Sequence, residues 1–140
     1  MRTILNVAPG LDGMTGRFSY ARSRNINDVA GEVFDADPLP PALADKPNLL
    51  SYCERRAGGD GSPLYDAICF ATHGSANGLE TGHGDILFSV ADTEETLAAI
   101  AGGRDIYICA CEAASGNLPA QLASVGCQLF VGFTISPHWQ

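Results

Sequence analysis

The sequence predicts an α/β fold with a mainly parallel sheet, arranged in three layers. Two short apolar runs, residues 65–72 and 105–110, lie between turn signals and have the length of strands buried on both faces of a parallel sheet. Between them, residues 92–101 have helical spacing. A strand, helix and strand in this order form a crossover unit, and further strands and helices on either side extend the pattern.

The N-terminal half supplies the first elements of this fold. Residues 3–8 predict a strand, and Pro9-Gly10 ends it. Residues 29–34 predict a second strand, and residues 37–41 a rigid connector. A helix is predicted near residues 47–57 from the spacing of its apolar side chains.

The C-terminal half continues the alternation. A glycine-rich loop is predicted from Ser75 to Gly84, followed by a short strand at 86–88. Asp92 has the position of a helix cap, with Glu95 three residues later as in a capping box. A helix at residues 118–125 and a last strand at 127–134 complete the single domain predicted over residues 1–140.

Composition excludes several classes of function. The chain has 140 residues, enough for one domain with a buried core, and a net charge of −8. This acidic balance argues against nucleic-acid binding, which needs a basic surface. The N-terminal apolar stretch is too short for a signal peptide, and no apolar run reaches the length of a membrane span. The expectation is therefore a cytoplasmic protein that does not bind membranes.

The five cysteines predict reduced thiols rather than disulfides. Their number is odd and no secretory signal accompanies them. Cys69, Cys109 and Cys127 lie in apolar runs, where small buried thiols are expected. No CxxC or His/Cys cluster has the spacing of a structural zinc site, so neither a metal nor another cofactor is predicted.

Two strand ends carry reactive side chains. His73 follows the strand predicted at 65–72, and Cys111 follows the strand at 105–110. If these strands are parallel neighbours, both residues emerge at the carboxyl edge of the sheet, where functional residues of such sheets lie. An imidazole beside a thiol favours the nucleophilic thiolate. Gly74 and Cys111 would then donate backbone N–H groups to an oxyanion.

The segments CFATHGSANG (69–78) and IYICACEAASG (106–116) resemble two motifs of the caspase-like (clan CD) cysteine peptidases. Those motifs are a hydrophobic strand ending in His-Gly and another ending in Ala-Cys. The match is nearest to the bacterial CHAT-type branch and covers roughly residues 65–136. The resemblance implies a cysteine endopeptidase that cleaves peptide bonds through a thioester acyl-enzyme. It assigns His73 as the catalytic histidine, Gly74 as an oxyanion donor and Cys111, not Cys109, as the nucleophile.

The chain departs from that family in two respects. The family fold continues with a further helix and strand that complete the substrate cleft, whereas this sequence ends at Gln140. The expectation is a minimal or truncated domain, or one completed by a partner chain or homodimer. The second respect is the residue that selects the P1 side chain, for which the sequence offers two candidates. Asp12 and Arg17 lie in the same loop and imply opposite preferences, and the acidic net charge favours Asp12 and a basic P1 residue.

Other interpretations remain beside the peptidase. A caspase-like domain can act without catalysis, as an interaction module that binds a partner chain. A thiol-redox protein using Cys109 and Cys111 is a third interpretation. His83, between glycines, and His138, near the C-terminus, are expected at the surface.

Overall fold

The computed structural model describes residues 3–7, 35–80, 85–110, 112–132 and 134. The strands in these residues are β1 Thr3–Val7, β2 Asp35–Leu39, β3 Ala67–Ala71, β4 Gly74–Ser75, β5 Gly78–Glu80, β6 Ile86–Ser89, β7 Asp105–Cys109 and β8 Leu129–Val131. The α-helices are α1 Lys46–Cys53, α2 Glu94–Ala101 and α3 Leu118–Ser124, and a short 3-10 helix spans Pro41–Leu43.

The larger sheet of the described residues has the order β2-β1-β3-β7-β8, and every neighbouring pair in it is parallel. The predicted α/β class with a mainly parallel sheet is confirmed. Strands β3 and β7 are parallel neighbours, with Ala67 opposite Asp105 and Ala71 opposite Cys109, so the condition set for the candidate site is met. This strand order is that of a doubly wound sheet, in which ligands bind beyond the carboxyl ends of the strands.

One face of this sheet holds the main hydrophobic core. Alternate residues of its strands belong to one buried cluster with side chains from all three described helices, since successive strand residues point to opposite faces. On the strands of the main sheet these residues are Leu5, Val7, Leu39, Ile68, Phe70, Ile106 and Ile108. On the helices they are Leu49, Cys53, Leu97, Ile100, Ala101, Leu118 and Leu122.

The opposite face of the sheet is buried in part. Ile4, Asn6, Ala67 and Ala71 lie on that face, and each has less than a tenth of its surface exposed. Cys69 lies on the same face and is half-buried. Burial on both faces is compatible with the predicted three-layer arrangement.

A small antiparallel sheet of β4, β5 and β6 packs above the end of β3. The rings of Phe70 on β3 and Phe88 on β6 have centroids 5.2 Å apart and are tilted by 58°. Leu79 and Leu87 of this sheet are fully buried in the same core cluster. The small sheet is therefore fixed to the main sheet by its own apolar side chains.

A strand forms where the sequence predicted a connector. Residues 35–39 form β2, where the sequence predicted the start of a connector, and the strand predicted at 29–34 lies outside the described residues. Pro38 explains the wrong prediction, because proline lacks the N–H that an interior strand needs. In the described sheet β2 pairs only with β1, and an edge strand tolerates proline.

The loop predicted from Ser75 to Gly84 is wrong over its first half. Residues 74–80 form the hairpin β4–β5, with Ala76 and Asn77 in the turn, and residues 81–84 lie outside the described part. The hairpin needs glycine at position 78. A Cβ atom there would lie 2.4 Å from the carbonyl oxygen of Phe88, so only glycine permits this approach of β6.

The start of α2 is one residue later than the capping prediction implied. Thr93 is the cap, and its side chain accepts a hydrogen bond of 3.2 Å from the Thr96 N–H. Asp92 accepts the N–H of Ser89 at 2.8 Å and forms an ion pair with Lys46. Asp92 therefore ties the β6–α2 turn to the first turn of α1.

Arg104 is a buried charge at the amino end of β7. Its guanidinium donates to the carbonyl oxygens of Tyr65 at 2.9 Å and Cys53 at 2.8 Å. It also donates to the carbonyls of Ala99 at 2.8 Å and Ile100 at 3.1 Å. The carbonyl ends of α1 and α2 are negative poles, so one arginine satisfies both helix ends and the segment entering β3.

None of the helices in the described residues is long and apolar enough to cross a membrane.

Candidate active site

The carboxyl ends of β3 and β7 form the edge where the sequence predicts the site. Beyond the paired residues of β3 and β7, the N–H of Thr72 donates to the carbonyl of Cys109 at 3.3 Å. The two backbone segments therefore stay side by side for one more residue. His73 follows directly and is half-buried. Strand β7 leads to Ala110, which is fully buried. Cys111 lies outside the described residues, so the His73–Cys111 contact stays a prediction.

The backbone at His73 is held by the second strand of the hairpin. The carbonyl of His73 accepts the N–H of Glu80 at 2.9 Å. The hydroxyl of the preceding residue, Thr72, donates to the carbonyl of Glu80. Both polar backbone groups of Glu80 thus bond to the two residues at the end of β3, and His73 sits at a fixed junction between the two sheets.

Gly74 begins β4 and faces Leu79 across the hairpin. In an antiparallel pair, hydrogen-bonded and non-hydrogen-bonded positions alternate. Because His73 and Glu80 are joined by a hydrogen bond, the pair Gly74 and Leu79 is of the other type. The N–H of Gly74 therefore points away from β5, a direction that suits its predicted role as an oxyanion donor.

The loop after Cys111 begins with an uncommon backbone conformation. Glu112 has φ 53°, in the left-handed region that residues with side chains seldom adopt. Its carbonyl accepts the N–H of Ser115 at 3.0 Å and the hydroxyl of Ser115 at 2.8 Å. Strained backbone of this kind is concentrated at functional sites and persists where surrounding contacts hold it.

The loops that follow β3, β7 and β8 contact one another. A Cβ atom at Gly116 would lie 2.6 Å from the carbonyl oxygen of Ala76, so the loop after Cys111 touches the turn of the His73 hairpin. A Cβ atom at Gly132, beyond β8, would lie 3.5 Å from the Cβ of Ala114. The carboxyl edge of the sheet is thus a continuous surface built from three loops.

The described thiols away from this edge are poor nucleophiles. Burial raises the pKa of Cys53 and the pKa of Cys69 to about 11 in each case, and it raises the pKa of Cys127 as well. Burial removes water that would stabilise the thiolate, so these cysteines stay protonated at neutral pH. Cys53, Cys69 and Cys127 are free thiols.

Four residues singled out in the sequence lie outside the described residues. They are Asp12, the predicted substrate-binding residue, and Arg17, His83 and His138. In the described residues, no group of three or more His, Cys, Asp or Glu side chains is arranged to hold a metal ion.

Sequence reasoning missed two residues that shape the site. The sequence predicts Thr72 only as the last residue of a strand, although its hydroxyl, next to a strand-end histidine, can donate a hydrogen bond to a neighbouring segment. It gives Gly116 no role beyond a loop residue. The hairpin has only an approximate signal in the sequence. Asn77-Gly78 is a dipeptide typical of hairpin turns, but the turn lies one residue earlier, at Ala76 and Asn77.

No protein-family model matches the chain, and no curated protein or solved structure matches it.

Proposed function

We propose that this chain is a caspase-like cysteine endopeptidase in which His73 and Cys111 form the catalytic dyad. One observation carries the proposal: β3 and β7 are parallel neighbours in register, and His73 and the Ala110-Cys111 step follow their carboxyl ends. Loops from both strand ends contact each other at Ala76 and Gly116. This topology supports the pairing of His73 with Cys111 that the motif resemblance implies.

The chemistry follows from a thiol beside an imidazole. The imidazole of His73 accepts the thiol proton, and the sulfur of Cys111 attacks the carbonyl carbon of the scissile peptide. The tetrahedral intermediate collapses with cleavage of the C–N bond, and the imidazolium donates its proton to the departing amine. Water, deprotonated by the same imidazole, then hydrolyses the thioester and releases the acid product and the free thiol.

Two backbone N–H groups are proposed to stabilise the oxyanion of each intermediate. Gly74 supplies one, since its N–H points away from β5 and it carries no side chain to block a substrate. The N–H of Cys111 supplies the other. Such donors contribute most when they are already fixed before substrate binds. The hydrogen bonds at Glu80 provide that fixation on the Gly74 side.

Cys111 is favoured over Cys109 as the nucleophile. Cys109 is the last residue of β7, opposite Ala71, and its carbonyl accepts the N–H of Thr72. It is therefore a residue of the sheet rather than of the edge loops. Cys111 comes after the strand, as a nucleophile at the carboxyl edge does.

We place the reaction in the cytoplasm on two grounds. Cys53, Cys69 and Cys127 are free thiols, which a reducing compartment preserves. The same compartment would keep the thiol of the proposed nucleophile reduced.

The test is selective alkylation at neutral pH. Wild-type protein is treated with a limiting amount of iodoacetamide at pH 7, and the modified cysteine is located by peptide mass spectrometry. Cys111 is expected to react first. The Cys111→Ala variant is expected to lose cleavage of a peptide library that contains basic and acidic P1 residues. Cys109→Ala is the matched control and should retain it. Equal reaction of all five thiols, without peptide cleavage, would reject the proposal.

A second function is favoured by the surface of β8. Leu129 and Val131 are 45% and 49% exposed, and β8 pairs only with β7 in the described residues. An exposed apolar edge strand is a common place for another chain to bind. A non-catalytic interaction module would bind a partner here and show neither selective alkylation nor cleavage. Analytical ultracentrifugation of wild-type protein and of Val131→Lys tests self-association through β8. Alkylation and cleavage, measured on the same two proteins, separate the interaction module from the peptidase.

A further inference from the structure

The residue before the candidate catalytic histidine occupies an uncommon place in the fold. Thr72 is fully buried, and it lies where the main sheet ends and the small sheet begins. Its backbone N–H bonds to Cys109 of β7, and its hydroxyl bonds to the carbonyl of Glu80 at the end of β5. One residue therefore links the two sheets at the point where His73 leaves β3.

Glu80 depends on the hydrogen bond from Thr72 because its pairing with β6, on the other side of β5, is irregular. The pairing of β5 with β6 shifts register between Leu79 and Glu80. A bulge of this kind interrupts the regular hydrogen bonding of a strand and lets it bend. On the side of β3, by contrast, both the N–H and the carbonyl of Glu80 have partners, His73 and Thr72.

We propose that Thr72 is a positioning residue whose hydroxyl holds Glu80, so that Glu80 in turn fixes the backbone of His73 and directs the imidazole toward Cys111. This inference rests on the proposed function and adds to it a residue that never touches the substrate. Thr72 has no exposed surface, so its hydroxyl bonds to the Glu80 carbonyl in a position that bulk water does not reach. Loss of the hydroxyl therefore leaves the carbonyl of Glu80 without that donor, and the junction loosens.

Two measurements on each protein test the proposal. Hydrogen exchange of the Glu80 amide reports the junction directly, and the rate of Cys111 alkylation by iodoacetamide at pH 7 reports the dyad. Thr72→Val keeps the branched shape and removes the hydroxyl. It is expected to speed exchange at Glu80 about tenfold, the effect of losing roughly one hydrogen bond. It is expected to slow alkylation of Cys111 about tenfold or more, since small displacements of catalytic groups are costly.

Conservative and remote variants provide the controls. Thr72→Ser retains the hydroxyl and should restore both rates. Ser124→Ala removes another hydroxyl that donates to a carbonyl, that of Gln121 at 2.6 Å on α3, and should change neither rate. If Thr72→Val does not fold, Thr72→Ala and Thr72→Ser are compared instead, because they differ by the hydroxyl alone.

The outcomes separate this inference from the proposed function. Unchanged Glu80 exchange in Thr72→Val overturns the inference, and so does faster exchange with a wild-type alkylation rate, which makes Thr72 merely structural. A wild-type Cys111 that reacts no faster than the other thiols rejects the dyad itself, and with it the positioning role. That failure is seen in the unmodified protein, before any variant is made.

Discussion

Gly116 lies against the backbone of Ala76, so close that a Cβ atom at position 116 would be 2.6 Å from the Ala76 carbonyl oxygen and 2.8 Å from its Cβ. Neither neighbour is the flexible end of a long side chain, so neither can move aside easily. This contact joins the loop after Cys111 to the hairpin that carries His73. Glycine at position 116 thereby sets the distance between the two halves of the candidate site.

Gly116→Ala is expected to push these loops apart. The added methyl group should lower the free energy of unfolding by about 1–3 kcal/mol, the usual cost of overpacking. It should also slow the alkylation of Cys111. Gly58→Ala is the control, since a Cβ atom at Gly58 meets nothing within 4 Å. Urea unfolding of both variants measures the difference, and equal stability would show that the contact is not tight.

Glu112→Val is expected to be more harmful than Glu112→Gly. A branched side chain fits the left-handed conformation at φ 53° poorly, whereas glycine adopts it without strain. The valine variant should lose about 1–2 kcal/mol of stability, in line with the cost of left-handed backbone. The glycine variant should stay within about 0.5 kcal/mol of wild type, because relief of strain offsets the greater freedom of its unfolded chain. Thermal unfolding of the two proteins side by side checks this order.

Arg104→Met should be among the most destabilising single changes in the described residues. It removes hydrogen bonds to the carbonyls of Tyr65, Cys53, Ala99 and Ile100 and leaves buried acceptors behind. The expected loss is about 3–5 kcal/mol, as for other broken buried networks. Arg104→Lys keeps the positive charge but lacks the planar guanidinium with its several donors, so its loss of stability should be smaller than that of Arg104→Met. Arg56→Ala, at an exposed arginine, should change stability by less than about 0.5 kcal/mol.

Stability is expected to fall at alkaline pH because of two buried thiols. The pKa of Cys53 and the pKa of Cys69 rise from 9.0 to about 11 on folding, so the unfolded chain loses these protons first. Their contribution is fully present below pH 9 and is lost as the pH rises toward 11. Each thiol is expected to lower the free energy of unfolding by roughly 1 kcal/mol between pH 8 and pH 10.

The double variant Cys53→Ala/Cys69→Ala tests this linkage. It lowers stability at every pH by removing buried sulfur atoms, but its unfolding free energy should change less between pH 8 and pH 10 than that of wild type. Parallel curves for the two proteins would contradict the raised pKa values. Keeping the upper limit at pH 10 reduces interference from Tyr65, whose pKa is raised to about 12 by burial and by its hydrogen bond to Asp37.

Continuous apolar runs were the most informative part of the sequence. Residues 65–72 and 105–110 are predicted to be strands of a parallel sheet, because burial on both faces requires apolar side chains at successive positions. The structure confirms both as β3 and β7. The helix at 92–101 was predicted from its spacing, and only the identity of its cap was wrong, since Asp92 binds Ser89 and Lys46 while Thr93 caps.

The missed elements share a physical cause. Strand β2 contains Pro38 and two aspartates, residues that local preference excludes from strands, and pairing with β1 overrides that preference. The β4–β5 hairpin is short and rich in small residues, so its stability comes from Leu79 and its packing rather than from a visible pattern. The hydrogen bond from Thr72 to Glu80 joins residues in different strands, and no periodicity in the sequence encodes it.

The strand order has a consequence for the chain as it is synthesised. After β1 and β2, the remaining strands of the main sheet follow one another in space as they do in sequence: β3 pairs with β1, β7 with β3, and β8 with β7. Domains generally fold as units during synthesis. A nascent chain that has emerged only to the end of α2 contains His73 but lacks β7, the strand that pairs with β3. The candidate site therefore assembles only after β7 and the loop through Gly116 have left the exit tunnel.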